Sequence, residues 1–429
     1  MNPLRVRWLG RVPYREALAV QTALFQHGRG QHLLLLEHPH VFTHGARADL
    51  ATNLKCEPAA VGAELVAVKR GGDITYHGPG QLVGYPILQL DNRIGAYVVL
   101  EALRLLAGHR QAEIRWLTAE RNAGQPVAAL FPHLGDLSLP RMERMDAVDL
   151  AAADAILCCL PHGLTQAALK DLPRGPKVVD LSADFRLRDP DLYAAVYGAP
   201  HGAVDLQKEA VYGLTEHYRE AVRGARLVAN PGCYTTTAEL ALVPLLKAGL
   251  IREDGIIVDA KSGVSGAGRA AKEANLFTEV SEGFHAYAVA THRHAPEIEQ
   301  CLSDFAARPV RITFTPHLVP MNRGIFATVY VKLKGGVRAE DLQTGLESAY
   351  AGEPFVRVLP FKGLPATRHV RGSNACLLAV HPSRIEGEAI LLSVTDNLVK
   401  GAAGQAIQNM NLMLGLDETG GLDLPPLFP

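Results

Sequence analysis

The second half of the chain is organised around one stretch, Leu227-Val228-Ala229-Asn230-Pro231-Gly232-Cys233-Tyr234. Its first three residues predict a short buried strand, and the run from Thr235 to Leu246 predicts a helix directly after it. Gly232 permits a sharp turn between the two elements. A cysteine at a helix N-terminus feels the positive end of the helix dipole, which favours a thiolate of lowered pKa. Cys233 is therefore the candidate nucleophile, and Asn230 is placed to hydrogen-bond an oxyanion or the nucleophile.

The elements around this stretch indicate an α/β protein. Before Cys233, apolar strand candidates alternate with helices or loops, which predicts a doubly wound parallel sheet. These candidates are Glu113 to Leu117, Ala155 to Leu160, Val178 to Leu181 and Leu227 to Ala229. After Cys233 the strand-like runs are longer, which favours a mostly antiparallel sheet. The first of these runs is Ile256 to Ala260, and the last is Ala389 to Val394. The segment from Asp396 to Leu414 is expected to form a loop and a final helix.

Three further segments carry polar groups suited to catalysis or ligand binding. His292-Arg293-His294-Ala295-Pro296-Glu297 supplies two imidazoles, either of which would serve a thiol as general acid and base. The Gly/Ser-rich loop from Lys261 to Arg269 ends in a guanidinium that suits phosphate or carboxylate. Leu160-Pro161-His162-Gly163 closes a strand of the doubly wound sheet, where such folds bind their ligands.

Composition and charge narrow the class of protein. The chain has 429 residues, 48% apolar and 20% charged, which excludes disorder as a description of the whole. Lys plus Arg number 43 against 44 acidic residues, so no basic excess favours nucleic acid. The apolar run Leu33 to Leu36 is far shorter than the ~20 residues that span a bilayer, and the N-terminus does not read as a signal peptide. Six cysteines without a Cys-x-x-Cys pair favour reduced thiols in the cytoplasm and predict no metal site.

The second half resembles the N-acetyl-gamma-glutamyl-phosphate reductases of arginine biosynthesis over about 101–429. Besides the segments above, the resemblance rests on Phe131-Pro132-His133-Leu134, Asp180-Leu181-Ser182-Ala183-Asp184-Phe185-Arg186, Pro316-His317-Leu318-Val319-Pro320-Met321-Asn322-Arg323-Gly324 and Lys400-Gly401-Ala402-Ala403-Gly404-Gln405. It implies that Cys233 attacks the acyl phosphate, that NADPH reduces the resulting thioester to the semialdehyde, and that His292 or His294 is the base. It also implies a small-molecule substrate and a homo-oligomer, a dimer or tetramer. Thr235 stands where this family commonly has Pro, with little expected effect.

The same resemblance implies the remaining site residues. Substrate-binding residues are expected at Asn230, Ser265, Arg269, Arg293 and Glu297. Cofactor-binding residues are expected at Arg121, Pro161, His162, Gly163, Ser182, Gly266, Asn397 and Gly401.

The first half carries a glycine-rich loop, Arg70-Gly71-Gly72-Asp73-Ile74-Thr75-Tyr76-His77-Gly78-Pro79-Gly80-Gln81. With Arg7-Trp8-Leu9-Gly10, Leu35-Leu36-Glu37-His38-Pro39 and Gly84-Tyr85-Pro86-Ile87, it resembles the octanoyltransferases, which have the biotin/lipoate ligase-transferase fold. The helical period of the run from Tyr14 to Phe25 predicts a helix there. The resemblance implies an α+β half-domain over 1–97, with an acyl-pocket loop of Arg70, Gly71, Gly72, Asp73, Thr75, Tyr76 and His77. The family's nucleophilic Cys and activating Lys have no counterpart here, and Cys56 lies in no such context.

The two resemblances meet where a dinucleotide domain should begin with a strand and a glycine turn. The helix starting at Leu100 matches the reductase family, but the residues before it do not match the family's first strand and glycine turn. The apolar run Tyr85–Leu90 is expected either to take the place of the missing first strand or to leave that place poorly filled. With Gly95 alone remaining, NADPH binding is expected to be weakened by several powers of ten.

The expected domains are therefore a truncated octanoyltransferase-like segment at 1–97, an NADP-binding domain at 98–232 and 395–429, and a catalytic and dimerisation domain at 233–394. Two alternatives to the reductase remain open. One is an octanoyltransferase, whose partners would be acyl carrier protein and a lipoyl domain. The other is a non-catalytic fusion.

Overall fold

The computed structural model describes residues 4–27, 31–45, 48–68, 74–87, 96–120, 122–269 and 273–428. The chain divides into two compact units, Met1–Asp91 and Asn92–Pro429. None of the helices in the described ranges has the length and apolar character that a membrane crossing requires.

Unit 1 is an α+β segment with two small sheets. Its elements are, in chain order, β1 (Leu4–Arg11), α1 (Tyr14–His27), β2 (Gln31–Glu37), β3 (Val41–His44), α2 (Leu50–Asn53), a 3₁₀ turn Pro58–Val61, β4 (Glu64–Ala67), β5 (Ile74–His77) and β6 (Val83–Ile87). One sheet has the order β1-β2-β6 and the other β4-β3-β5. Leu34 and Leu36 alternate on the buried face of β2, and Ala17 of α1 is buried with them. The predicted α+β character of this segment is confirmed.

The strand β6 belongs to unit 1, contrary to the first expectation for the join. It pairs antiparallel with β2, and Leu34 lies opposite Tyr85. The prediction that Tyr85–Leu90 takes the place of a first Rossmann strand is therefore wrong for its described residues. An apolar run of this length can pair in the sheet of unit 1 or in the parallel sheet of unit 2. In unit 1 the hydrogen bonds to β2 occupy the backbone groups along one edge of β6. Residues 88–95 lie outside the described ranges.

The first part of unit 2 holds a parallel sheet. Its elements are α3 (Ala96–Leu106), β7 (Leu117–Thr118), β8 (Met142–Glu143), β9 (Ala155–Cys158), α4 (Thr165–Lys170), β10 (Lys177–Asp180), α5 (Pro190–Tyr197), α6 (Val204–Glu209), β11 (Ala210–Tyr212), α7 (Thr215–Gly224), β12 (Leu227–Ala229) and α8 (Cys233–Lys247). The order β11-β12-β10-β9 is parallel throughout. The doubly wound prediction is confirmed. The strand expected from Glu113 to Leu117 is only Leu117–Thr118, and it pairs with β8 in a two-stranded sheet of its own. Among the described residues the sheet ends at β9, which agrees with a first strand that is missing.

The second part of unit 2 is built on a larger sheet. Its elements are β13 (Ile256–Gly263), α9 (Phe277–Val280), β14 (His285–Ala286), α10 (His294–Ala306), β15 (Ile312–Val319), β16 (Ile325–Lys332), α11 (Ala339–Ala349), β17 (Val356–Val358), β18 (Cys376–Pro382), β19 (Glu388–Thr395), a π turn Val399–Ala403 and α12 (Gly404–Leu414). Shorter 3₁₀ turns in unit 2 lie at Val127–Ala129, Pro132–Leu134, Met145–Ala147, Leu150–Ala152, Val264–Ala267, Glu273–Asn275 and Thr367–His369. The sheet order is β14-β15-β13-β16-β19-β18-β17. Four of its six pairings are antiparallel, so the mostly antiparallel prediction is confirmed.

Helix α8 is the central helix of this core. All of its residues from Tyr234 to Leu246 are buried, including four polar ones. Burial along nearly the whole helix restrains its first residue, because no face of the helix is free to move into solvent. The sequence therefore places Cys233 at the start of a helix that is buried from Tyr234 to Leu246.

Helix α3 packs where the resemblance expects it. Its Ala102 and Leu105 are buried with Ala406 and Ile407 of α12. Glu101 contacts Arg323 at 3.2 Å, and Arg323 in turn contacts Asp396 at 2.8 Å. Apolar packing and a buried charge cluster thus both fix α3 against the rest of unit 2.

Candidate active site

Cys233 is the first residue of α8 and lines a cavity of about 430 Å³. The cavity lies over the carboxyl ends of three parallel strands, because residues just after β9, β10 and β12 all contribute to its wall. Carboxyl strand ends are where doubly wound folds bind ligands. The predicted strand, turn and helix around Cys233 are therefore confirmed.

The turn at Gly232 is tight because two cationic or basic side chains press against it. A Cβ built on Gly232 would lie 2.5 Å from Nε2 of His294 and 2.9 Å from Nη1 of Arg186. Its backbone angles, φ −67° and ψ 155°, are open to any residue. Glycine is thus required here for close approach and not for its backbone freedom. A second glycine, Gly401, approaches from the other side, where an added Cβ would lie 2.8 Å from the Cβ of Cys233.

A buried carboxylate holds the turn from behind. Glu297 Oε1 accepts the Gly232 N–H at 2.8 Å, and its Oε2 lies 3.4 Å from Arg186 Nη1. Thr235, the third residue of α8, contacts both the Gly232 carbonyl and Glu297 through its hydroxyl. Glu297 is buried and does not line the cavity, although the resemblance implied that it binds substrate. Thr235 is part of the turn's hydrogen bonding, which was not expected of it.

The resting thiol is protonated. Burial raises the pKa of Cys233 to about 11, although the Arg186 charge and the Tyr234 N–H act to lower it. The thiolate expected from the helix dipole is thus not found, because the loss of solvation outweighs the dipole. Burial also lowers the pKa of His292 to about 4 and that of His294 well below its usual value. Both imidazoles are therefore neutral at neutral pH and able to accept a proton.

The two histidines occupy different positions. His292 Nδ1 accepts the backbone N–H of His294 at 3.1 Å, so a neutral His292 carries its proton on Nε2. The two ring centroids are 4.7 Å apart, and both rings meet Tyr234 edge-on. His294 is the ring that packs directly on Gly232 beside the thiol. Its Nδ1 is buried without a hydrogen-bond partner among the described residues.

Most of the predicted site residues line this cavity. They are Asn230, Cys233, Ser265, Gly266, His292, Arg293, His294, Pro161, His162, Ser182, Asn397 and Gly401.

Several of these side chains are already engaged within the protein. Asn230 Nδ2 donates to the Ala402 carbonyl at 3.3 Å, and Asn397 donates to Ser265 Oγ at 3.0 Å. The Ser182 hydroxyl donates to Asp180 at 2.7 Å. Asn230 Oδ1 also accepts from Asn409 at 3.4 Å. These hydrogen bonds hold Asn230 in the cavity wall and are not directed at the thiol.

Two other predicted residues lie elsewhere. The Gly163 N–H donates to Asp184 at 2.6 Å, so it is not free for a ligand. Arg269 is exposed, lies over the Phe131 ring at 5.2 Å and lines a second cavity. This cavity adjoins the first, because both are lined by Ser265, Asn275 and Leu398. Arg121 is outside the described residues.

The acyl-pocket loop is described only in part. Residues 69–73, which include the predicted Arg70, Gly71, Gly72 and Asp73, lie outside the described ranges. Thr75, Tyr76 and His77 belong to β5. The Tyr76 hydroxyl is 2.5 Å from His40 Nδ1, and His77 Nδ1 lies 3.1 Å from Gln81.

Arg186 is the site residue that the sequence interpretation did not select. It is nine-tenths buried, donates to the Leu181 carbonyl at 3.1 Å and lines the cavity beside Cys233. The sequence contained a signal for Arg186, because this residue ends the family motif that begins at Asp180. In the described ranges no group of three or more His, Cys, Asp or Glu side chains is arranged to hold a metal ion.

Three family models match the chain. Residues 94–225 match the semialdehyde dehydrogenase NAD-binding domain, and residues 233–397 match the semialdehyde dehydrogenase dimerisation domain. Residues 13–115 match the lipoyl protein ligase A/B catalytic domain. The first and third matches overlap over 94–115, the segment that contains α3.

Curated relatives and solved structures agree with the models of unit 2. The chain is 58% identical over 338 residues to N-acetyl-gamma-glutamyl-phosphate reductase of Rhodospirillum rubrum, covering 78% of this chain and 96% of the relative. It is 56% identical to a probable chloroplastic N-acetyl-gamma-glutamyl-phosphate reductase of Arabidopsis thaliana, covering 79% and 86%. Aspartate semialdehyde dehydrogenase II of Vibrio cholerae superposes with a TM-score of 0.57 at 19% identity, covering 74% of this chain and 96% of that one, which shows the shared fold.

Proposed function

Because the chain belongs to the N-acetyl-gamma-glutamyl-phosphate reductase family, we propose that it reduces N-acetyl-glutamyl 5-phosphate to the 5-semialdehyde and phosphate. The observation that carries the proposal is the position of Cys233, at a helix start in a strand-end cavity, between a guanidinium and a neutral imidazole. These are a nucleophile, a cation for the phosphate and a base, which acyl transfer from an acyl phosphate requires.

The first half of the reaction forms a thioester. The Cys233 sulfur bonds to the carbonyl carbon, the bond from that carbon to the phosphate oxygen breaks, and phosphate leaves with the electron pair. The thiol proton passes to an imidazole, for which we favour His294 because it packs on the Gly232 turn. Since the resting pair is thiol and neutral imidazole, proton transfer accompanies the attack and does not precede it. Arg186 then lies beside the leaving phosphate as its counter-charge.

The second half releases the aldehyde. NADPH, when bound, supplies the hydride that reduces the acyl carbon. The carbon–sulfur bond then breaks, and the departing sulfur of Cys233 recovers its proton from the imidazolium. Helix α8 stabilises charge on the sulfur at this moment through its N-terminal N–H groups.

The cavity fits the nicotinamide half of the cofactor. Its wall includes Pro161, His162 and Ser182 from strand ends, and Gly401 and Asn397 from the opposite side. Val98 in the first turn of α3 also contributes. A β-branched residue at this helix start resists the close backbone approach that glycine allows, which supports the proposal that pyrophosphate is held weakly. The same proposal includes the domain boundaries. The NADP-binding domain is made of residues 98–232 and 395–429, and the catalytic and dimerisation domain of residues 233–394.

The remaining features of the proposal concern partners and location. The dimerisation-domain match over 233–397 supports a homo-oligomer, and six free cysteines support a reducing compartment such as the cytoplasm. The ligase match over 13–115 keeps octanoyl transfer as a second candidate for unit 1. Cys56, the cysteine of unit 1, is exposed and lies in neither cavity described above. This favours a unit 1 without octanoyltransferase activity.

NADPH titration tests the cofactor side of the proposal. We expect a dissociation constant well above the micromolar range in the purified full chain, and a marked gain in affinity when residues 91–99 are replaced by a glycine-rich turn. Low-micromolar binding by the unchanged chain would show that the turn does not limit affinity.

A further inference from the structure

A second buried carboxylate lies behind the Cys233 turn, on the side away from the cavity. Glu239 of α8 is fully buried, and both of its oxygens lie close to the Tyr212 hydroxyl, at 3.0 and 3.1 Å. The same hydroxyl is 3.0 Å from Glu297 Oε1. Neither Tyr212 nor Glu239 lines the cavity, and the proposed chemistry uses neither.

The number of available protons limits how this cluster can be hydrogen-bonded. A tyrosine hydroxyl has one proton, so it cannot donate to two carboxylates at once. Glu297 faces the Arg186 guanidinium, whereas the described residues place no cation within salt-bridge distance of Glu239. Burial and the neighbouring charge of Glu297 raise the pKa of Glu239 well above its usual value, and they outweigh the Tyr212 and Cys301 hydrogen bonds and the Arg186 charge, which lower it. Glu239 is therefore a neutral acid that donates to the Tyr212 oxygen, and Tyr212 donates to Glu297.

We propose that Tyr212 and Glu239 are positioning residues for the nucleophile, acting through Glu297 on the backbone of Gly232. Three groups form the connection: the Glu239 acid, the Tyr212 hydroxyl and the Glu297 carboxylate, whose Oε1 accepts the Gly232 N–H at 2.8 Å. The inference rests on the proposed role of Cys233 and adds the parts that hold it in place.

The geometry makes the turn sensitive to this support. His294 and Arg186 already approach the Gly232 position closely enough to exclude a methyl group. Without the Tyr212 donor, Glu297 Oε1 keeps the Gly232 N–H and the Thr235 hydroxyl as partners. We expect the carboxylate to shift toward these partners and to displace the Gly232 N–H and the Arg186 guanidinium. The thiol then loses alignment with the imidazole and the cation. The expected loss is in the reactivity of the Cys233 sulfur, which can be measured without substrate.

The test compares Tyr212→Phe with Tyr350→Phe in the full chain. Tyr350 is a matched control, because its hydroxyl is also buried and also bonds to α8, at the Leu240 carbonyl, but it does not contact Glu297. The readout is the rate at which iodoacetamide alkylates Cys233, followed by peptide mass spectrometry across a pH series without substrate or cofactor. We expect about a tenfold fall at neutral pH and a shifted pH profile for Tyr212→Phe, as the loss of one hydrogen bond to a charged group allows. Tyr350→Phe should remain within about twofold of the wild type.

A second pair of variants tests the protonation of Glu239. Glu239→Gln keeps a donor for the Tyr212 oxygen, so alkylation should lie within about threefold of the wild type, whereas Glu239→Leu should resemble Tyr212→Phe. Equal rates for Tyr212→Phe and Tyr350→Phe, or Glu239→Gln as slow as Glu239→Leu, would overturn the inference. Absence of reductase turnover in the wild type would overturn the proposed function alone, because alkylation reads the position of the thiol without turnover.

Discussion

Substitution of Gly232 by alanine tests how closely the base and the cation must approach the nucleophile. The added Cβ would lie 2.5 Å from His294 Nε2 and 2.9 Å from Arg186 Nη1, where ordinary contacts are about 3.5 Å or more. The imidazole must therefore retreat by about 1 Å, a displacement that costs about a hundredfold in rate when it affects a reacting group. Because the backbone angles of Gly232 suit alanine, no backbone strain adds to this cost.

The assay is kcat in the direction of semialdehyde oxidation, with phosphate and NADP at saturation, together with thermal unfolding. We expect Gly232→Ala to lose about a hundredfold in kcat while overpacking lowers stability by only about 1–3 kcal/mol. Gly335→Ala is the control, since no atom lies within 4 Å of its added Cβ. A kcat for Gly232→Ala within about threefold of the wild type would refute the steric reasoning.

The two histidines, Arg186 and the cysteine of unit 1 can each be tested in the same full chain. His294→Asn should lower kcat by about 10²–10⁴ and His292→Asn by less; equal losses would contradict the choice of His294. Burial lowers the pKa of both imidazoles, to about 4 for His292, and a lowered histidine pKa means that the neutral base persists as pH falls. The kcat/KM profile should thus be flat between about pH 6 and 8, and a fall centred near the ordinary histidine pKa of about 6.5 would contradict it. Arg186→Met leaves a buried carboxylate unpaired and should cost about 3 kcal/mol in urea unfolding; a loss below about 1 kcal/mol would show that the pair contributes little. The full chain should not transfer octanoyl groups, whereas an octanoyl thioester on Cys56, lost in Cys56→Ala, would reverse this.

Local patterns were sufficient to predict the elements that carry the nucleophile. A three-residue apolar run gave the bounds of β12, and the run after the glycine turn gave α8 with a start two residues late, because these signals act over neighbouring positions. The final helix and the change from a parallel to a mostly antiparallel sheet followed from similar patterns.

Properties that depend on tertiary packing could not be predicted in the same way. Glu297 resembled a substrate ligand in the sequence, yet its oxygens bond to residues 62 to 111 positions away. The dipole argument gave the wrong direction for the pKa of Cys233, because the extent of burial is known only from the folded cavity.

The join shows a further limit of sequence patterns. The run around Tyr85 is apolar enough to pair in either unit, and hydrophobic periodicity does not identify the partner strand. Pairing with β2 settles its described residues in unit 1.

The central claim is that this chain is a reductase acting through Cys233, and one measurement tests it most directly. The purified full chain is supplied with N-acetyl-glutamate 5-semialdehyde, phosphate and excess NADP, and the nicotinamide absorbance is followed beside that of Cys233→Ala at equal concentration. The account predicts phosphate-dependent NADPH formation by the wild type and none by the variant. Equal rates in the two proteins, or no NADPH formation by the folded wild type at saturating NADP, would contradict it.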